Sequence, residues 1–226
     1  MIRWTLLDTA TVPGDGGELQ LMQRGTEYAI MSGPVVLMNS RKSGSEEALA
    51  TLAAARLQGR AGARVLIGGY GMGFTLRAAL KAFGPDVAIT VAELVPDVVA
   101  WARGPMAELS GDNLDDPRLT LREGDVGGMI AAASNAYDAI LLDVDNGPEG
   151  LSRPANDRLY DPQGLAAARR ALRPGGLLAI WSSYPDDRFT KRLRNAGFAV
   201  EAVRVRSTGG GKGEKHVIWI ATKPAG

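Results

Sequence analysis

The stretch VLIGGYGMGFTLR, residues 65–77, constrains this chain more than any other, because an apolar run (Val65, Leu66, Ile67) meets three glycines at alternate positions, Gly69, Gly71 and Gly73. The run suits a strand buried on both faces, and residues 74–83 place Leu76, Ala79, Leu80 and Phe83 at helical spacing. The pattern predicts a strand, a tight turn and a helix. Glycine at alternate positions lets the backbone pass close beneath a ligand, with the free N–H groups of the helix N-terminus aimed at it. A second apolar run over 87–91 ends in Glu93, twenty residues past Gly73. A strand-end acid at that distance is the expected partner of a ribose diol, since a carboxylate accepts from both hydroxyls. The glycines follow G-x-G-x-G, whereas a pyrophosphate site prefers its third glycine one residue later, so the site predicted is for a nucleoside without a pyrophosphate.

The rest of the chain alternates in the same way. With 226 residues, 45% of them hydrophobic, it fits one large α/β domain with a small appendage. Short β-prone runs between turn clusters make residues 1–44 an antiparallel appendage of hairpins, and residues 45–226 read as the nucleoside-binding domain. Ser45 is the expected cap of an alanine-rich helix, with Glu46 and Glu47 in its first turn. Strands are expected near 119–122, 137–144, 177–182, 198–206 and 216–221, with Pro174-Gly175-Gly176 as a turn. Helical crossovers between them imply a Rossmann-like, seven-stranded, mostly parallel sheet. The last strand follows a glycine-rich loop with no helix and must be antiparallel. Glu93, Asp125 and Asp143 each follow an apolar run, so all three fall on the carboxyl edge of the sheet, where such folds bind ligands. Asp125 also opens a helix as its cap.

Composition removes several function classes. Lys plus Arg (26) nearly cancels Asp plus Glu (25), which leaves no field to steer a nucleic acid. There is no cysteine, and the single histidine, His216, reads as structural or solvated, so no histidine or thiolate metal site is expected. The N-terminus carries no signal-like segment and no stretch approaches the length of a membrane span, so a cytoplasmic location away from membranes is expected.

Five stretches then carry a resemblance: VLIGGYGMGFTLR, ITVAELVPDVV, DPRLTLREGDV, YDAILLDVDNGP, and LYDPQGL running on to LRPGGLLAIW. In this order and spacing the chain resembles the spermidine synthase (polyamine aminopropyltransferase) family, within the Rossmann-like methyltransferase superfamily. The resemblance implies a sulfonium nucleoside donor, S-adenosylmethionine or its decarboxylated form. It also implies that Gly69, Gly71, Met72 and Gly73 approach the donor's tail, Glu93 holds the ribose, Asp125 faces the adenine amine, and Asp143 helps deprotonate an attacking amine. Asp145, Asn146 and Tyr160 are the candidates for substrate contact, and Trp181 and Tyr184 are further candidates for an acceptor wall.

Three departures bear on the reaction. Met72 stands where the family's loop carries an aspartate that recognises the donor's amine. The family's second acid after the fourth strand has no clear equivalent, and its tyrosine and histidine ahead of the helix glutamate are absent from Ser45-Glu46-Glu47. A thioether offers a cationic amine only weak contact, whereas exposed loop N–H groups favour a carboxylate. The expectation from sequence is therefore methyl transfer from S-adenosylmethionine to a small-molecule acceptor, an amine among the candidates, with a homodimer allowed. Aminopropyl transfer from the decarboxylated donor is the alternative, and a catalytically inactive nucleoside-binding regulator the second. An acid reaching the site from outside the loop, such as Glu46, would reverse the choice of donor.

Overall fold

In the computed structural model, which describes residues 2–14, 17–144, 156–208 and 213–225, the chain forms two sheets. The first is antiparallel, with strands β1 (Thr5–Thr11), β2 (Glu18–Arg24), β3 (Glu27–Ser32) and β4 (Val35–Asn39) in sequence order. It is larger than a hairpin, and its inward residues Ala10, Leu21 and Ile30 join the main core.

The second sheet begins after helix α1 (Gly44–Arg56) with β5 (Arg64–Gly68), followed by α2 (Phe74–Ala82), β6 (Ala88–Glu93) and α3 (Pro96–Arg103). Two elements not anticipated from sequence come next, α4 (Ala107–Ser110) and a short 3-10 helix (Gly111–Asp115). Then follow β7 (Leu119–Glu123), α5 (Val126–Ala132), β8 (Tyr137–Leu142), α6 (Asp157–Tyr160), α7 (Pro162–Ala171), β9 (Leu172–Ser182), α8 (Asp187–Asn195), β10 (Ala199–Arg206) and β11 (Lys215–Thr222). The spatial order is β10-β11-β9-β8-β5-β6-β7, with β5 to β9 parallel and β11 antiparallel to both of its neighbours. This is the seven-stranded Rossmann-like sheet expected from the alternation of runs. The chain leaves β5 toward β6 on one side and reaches β8 on the other, so the crevice between the carboxyl ends of β5 and β8 is the topological switch point.

Period-two burial explains why the central strands read as continuous apolar runs. Val65 and Ile67 face one core with Leu49, Leu76 and Trp101, whereas Leu66, Ile140 and Leu142 face a second core with Leu165, Phe189 and Trp219. One strand departs from expectation. Pro174-Gly175-Gly176 lies inside β9, because pairing with β8 jumps from Tyr137↔Leu172 to Ala139↔Leu177. The extra residues form a bulge closed by Gly175 N–H donating to Lys223 O at 3.0 Å and Lys223 N–H to Gly176 O at 2.8 Å. Among the described residues no helix is long and apolar enough to cross a membrane.

At the edge opposite the crevice, buried Asp138 accepts from the Arg64 backbone N–H at 2.8 Å, from Arg60 Nη1 at 2.7 Å and from Arg173 Nη1 at 3.0 Å, tying β5, β8 and β9 together. The two guanidinium groups are about one-third exposed (32% and 36%), so solvent can replace their partner, whereas the Arg64 amide is paired with a carboxylate that is itself 2% exposed. Asp138→Ala should therefore cost about 1–3 kcal/mol, the desolvation cost of a stranded amide, while Asp138→Asn, which keeps an acceptor, should cost less than half of that. Urea unfolding of both variants checks this. Equal losses would show that the ion pairs dominate instead.

Candidate active site

The crevice at the switch point opens into a cavity whose floor is the β5 loop and whose roof is the N-terminal sheet, through Val12, Leu19, Ile30, Leu37 and Met38. The loop is shaped by close approach to its own neighbours. Gly69 has φ +86°, and a Cβ there would sit 2.7 Å from the Asp143 carbonyl oxygen. Gly71 has φ +56°, and a Cβ there would meet Met38 Sδ at 2.8 Å. A side chain at Gly69 would push the loop away from the backbone after β8, whereas at Gly71 the flexible end of Met38 would move and the left-handed φ is what favours glycine. Gly69 and Gly71 line the cavity.

Gly73 and Met72 are placed differently from expectation. Gly73 begins α2 and is not part of the cavity wall. Met72 is fully buried in the main core and is also absent from the wall, because the left-handed glycines on either side turn its side chain inward. Its N–H faces Met38 Sδ at 3.1 Å. The inference drawn from a thioether at the donor's tail therefore loses its geometric basis.

Four acids border the cavity: Glu46, Glu93, Asp125 and Asp143. Glu93 ends β6, is 7% exposed, and accepts from Tyr70 N–H (2.8 Å) and Val95 N–H (2.9 Å), one on each carboxylate oxygen. Burial pushes its pKa up, and these backbone donors oppose the shift. The backbone N–H groups of Gly71 and Leu94 also act on this carboxylate. Asp125 caps α5, its two oxygens accepting from Gly127 N–H at 3.0 Å and Gly128 N–H at 3.1 Å, and it still borders the cavity. A cap and a cavity-wall residue coexist in one side chain.

Asp143, just past the end of β8, is held by Thr75 from the first turn of α2. Thr75 Oγ1 lies 2.7 Å from Asp143 Oδ2 and 3.2 Å from the Glu46 carbonyl oxygen, so its one proton goes to the shorter, charge-assisted bond. Burial raises the Asp143 carboxyl to about 6 despite this bond. Glu46 projects from α1 toward Asp143, and burial together with the Asp143 charge raises it to about 7.

From sequence, Ser45 is the expected cap and Glu46 lies in the first turn of a helix, with Glu46 also named as an acid able to reach the site from outside the loop. The cap position belongs to Ser43, while Ser45 is fully buried and its Oγ donates to Glu46 Oε2 at 2.6 Å. Glu47 turns the other way, toward Arg77. Tyr160 also departs from expectation, packing edge-on against Phe189 in the second core, with ring centroids 5.8 Å apart, and not lining the cavity. Trp181 does line it, and Tyr184 is exposed. Asp145 and Asn146 lie outside the described residues.

Comparison with known proteins agrees with this geometry. The model of the spermine/spermidine synthase domain matches residues 44–186, more than half of the chain. A polyamine aminopropyltransferase of Mycobacterium tuberculosis is 32% identical over 154 residues, covering 64% of this chain and 28% of that protein. Putrescine N-methyltransferase 4 of Nicotiana tabacum is 38% identical over 124 residues, covering 52% of this chain and 30% of that protein. The chain thus spans under one-third of the length of these relatives. The crystal structure of spermidine synthase from Thermotoga maritima shares the fold, with a TM-score of 0.76 at 18% identity over 98% of this chain and 73% of that one. These matches correct the expectation of methyl transfer from intact S-adenosylmethionine. The matching domain is that of the spermine/spermidine synthases, and the aminopropyltransferase match extends over more of the chain than the methyltransferase match.

The raised pKa of Asp143 has a consequence for stability. Its contribution is fully present below the ordinary 3.8 and is lost as pH rises through about 6, because folding then forces a charge into a dry site. Asp143→Asn removes that loss. The stability of the variant relative to wild type should therefore be on the order of 2–3 kcal/mol more favourable at pH 8 than at pH 3, as read by denaturant unfolding at both pH values. A pH-independent difference would mean that the carboxyl is not perturbed by folding.

Proposed function

Because the chain belongs to the spermine/spermidine synthase family, we propose that it transfers an aminopropyl group from decarboxylated S-adenosylmethionine to a di- or polyamine. The observation that carries this reading is the charge of the cavity wall. Among the described residues it holds Glu46, Glu93, Asp125 and Asp143 and no Lys, Arg or His. An intact S-adenosylmethionine would bring its carboxylate into that acidic enclosure without a cationic partner. The decarboxylated donor brings only positive groups, a sulfonium and an ammonium. Glu46 brings an anion to the cavity from α1, which is the case in which the sequence itself would favour the aminopropyl donor.

In this reading Glu93 takes the ribose hydroxyls, and Asp125 takes an adenine N–H while keeping its cap. The glycine loop excludes water beneath them. The donor supplies an electrophilic propyl carbon next to a sulfonium that leaves as a neutral thioether. Asp143 supplies the base. Ionised above about pH 6, it accepts one proton from the acceptor's ammonium and frees the lone pair for attack on that carbon. The N–C bond forms as the C–S bond breaks, the sulfur keeps the bonding pair, and the new secondary amine carries the charge. Thr75 keeps Asp143 oriented toward the cavity.

Mass spectrometry of reactions with putrescine and either donor tests the proposal. An aminopropylated amine and the thioether nucleoside should form from the decarboxylated donor. Asp143→Asn should lower kcat by about two to four powers of ten. A methylated amine from the intact donor, with no aminopropylated product, would overturn it.

A further inference from the structure

Behind Glu46 the structure continues in a line of polar atoms that the reaction as described does not use. Glu46 Oε2 accepts from Ser45 Oγ at 2.6 Å, and Ser45 Oγ lies 2.9 Å from His216 Nδ1 on β11. Ser45 is completely buried, and the His216 side chain is 12% exposed. The ring stands edge-on to Trp181, with centroids 4.8 Å apart, which fixes its orientation. On its far side His216 faces a second cavity, lined by Lys42, Tyr184, Asp186 and Glu214. Glu46, Met38 and Trp181 line both cavities and form the partition between them.

We propose that Glu46, Ser45 and His216 form a proton wire through this partition, carrying the proton released by the acceptor amine out of the reaction cavity to the second one, with Ser45 and His216 acting as positioning residues. The proposal rests on the aminopropyl-transfer reading. A base that accepts one proton per turnover has to lose it before the next, and Asp143, tied to Thr75 through Oδ2, borders only the reaction cavity, whereas Glu46 borders both. Glu46 is the neighbouring acid. In one orientation the Ser45 hydroxyl donates to Glu46 and accepts from His216 Nδ1–H. In the other, the Glu46 carboxyl donates to Ser45 Oγ and Ser45 donates to Nδ1. These are the two ends of one transfer: the proton that Asp143 took from the amine passes to the Glu46 carboxylate that faces it, the Glu46 proton passes to the Ser45 oxygen, the Ser45 proton passes to His216 Nδ1, and the imidazolium releases its Nε2 proton to water in the second cavity. One proton moves, and no electrons change hands.

The charges around the wire suit that traffic. Glu46 faces Asp143, and burial, the Asp143 charge and the adjacent Glu47 charge raise it. His216 faces Glu214, whose Oε2 is 3.9 Å from Nε2, and Lys42, which pairs with Glu214 at 3.0 Å; burial lowers the imidazole pKa. The carboxyl is raised and the imidazole lowered, and the hydrogen bonds through Ser45 connect the two groups. A merely structural histidine would satisfy Ser45 equally well but would gain nothing from the second cavity.

His216 is the only histidine, so its ring nitrogens give unobstructed nuclear magnetic resonance signals in the full chain. Glu46→Gln and Ser45→Ala should each move its titration midpoint or tautomer ratio. Kinetically, Ser45→Ala and His216→Ala should lower kcat at least fivefold in weak buffer near pH 6, with KM for the decarboxylated donor within twofold of wild type. Added imidazole should restore His216→Ala. The proposal is overturned if both variants keep wild-type kcat, or if kcat and KM fall together with no imidazole rescue. A variant that unfolds leaves the wild-type resonance titration decisive, and a His216 signal insensitive to Glu46→Gln rejects the wire. The resonance measurement uses no donor. An inactive wild-type chain with the coupling intact would therefore count against aminopropyl transfer while supporting the wire.

Discussion

The site depends on one close approach, that of the β5 loop to the end of β8. The Asp143 carbonyl occupies the space a Cβ would take at Gly69, and Asp143 N–H donates to Gly68 O at 3.1 Å. On the other flank Gly69 N–H donates to Ala92 O at 2.9 Å and Tyr70 N–H to Glu93. The loop is thus clamped between two neighbouring strands, and the acid at each strand end is held relative to it. Glu93 on one side of the loop and Asp143 on the other both border the cavity. That preorganisation costs conformational freedom at the glycines, and the two packed cores beneath the sheet offset it.

The acidity of the cavity follows from the same construction. Carboxylates at strand ends are tolerated because backbone amides, helix starts and a threonine hydroxyl receive them: Glu93 by Tyr70 and Val95, Asp125 by the first turn of α5, Asp143 by Thr75. Glu46 and Asp143 face each other, each with one hydroxyl donor, and both are raised by burial. A cationic ligand would relieve that repulsion. The pair is therefore an electrostatic argument for what the cavity accepts as well as for which group takes a proton.

Much of this was legible in the sequence, for identifiable reasons. The central strands announce themselves because burial on both faces demands continuous apolar runs. The carboxyl edge is found by reading the first polar residue after each run, which puts Glu93, Asp125 and Asp143 together. Met72 was misjudged because its orientation is set by left-handed glycines on both sides, and no periodicity applies there. Glu46 and Ser45 look like an ordinary helix start, where acids and serines are common for dipole and capping reasons alone. Only the packing of α1 against the end of β8 turns Glu46 inward and Glu47 outward. The Pro174-Gly175-Gly176 bulge has the composition of a turn, and Tyr160 sits at a position whose side chain is claimed by Phe189 from a distant helix.

Calorimetric titration of the wild-type chain with the two donors tests the central claim most directly, since it asks the cavity which charge it accepts. Decarboxylated S-adenosylmethionine should bind at least tenfold more tightly than the intact form, about 1.4 kcal/mol, and Glu46→Gln should narrow the gap. Tighter binding of the intact donor, unaffected by Glu46→Gln, would contradict the reading of the acidic wall.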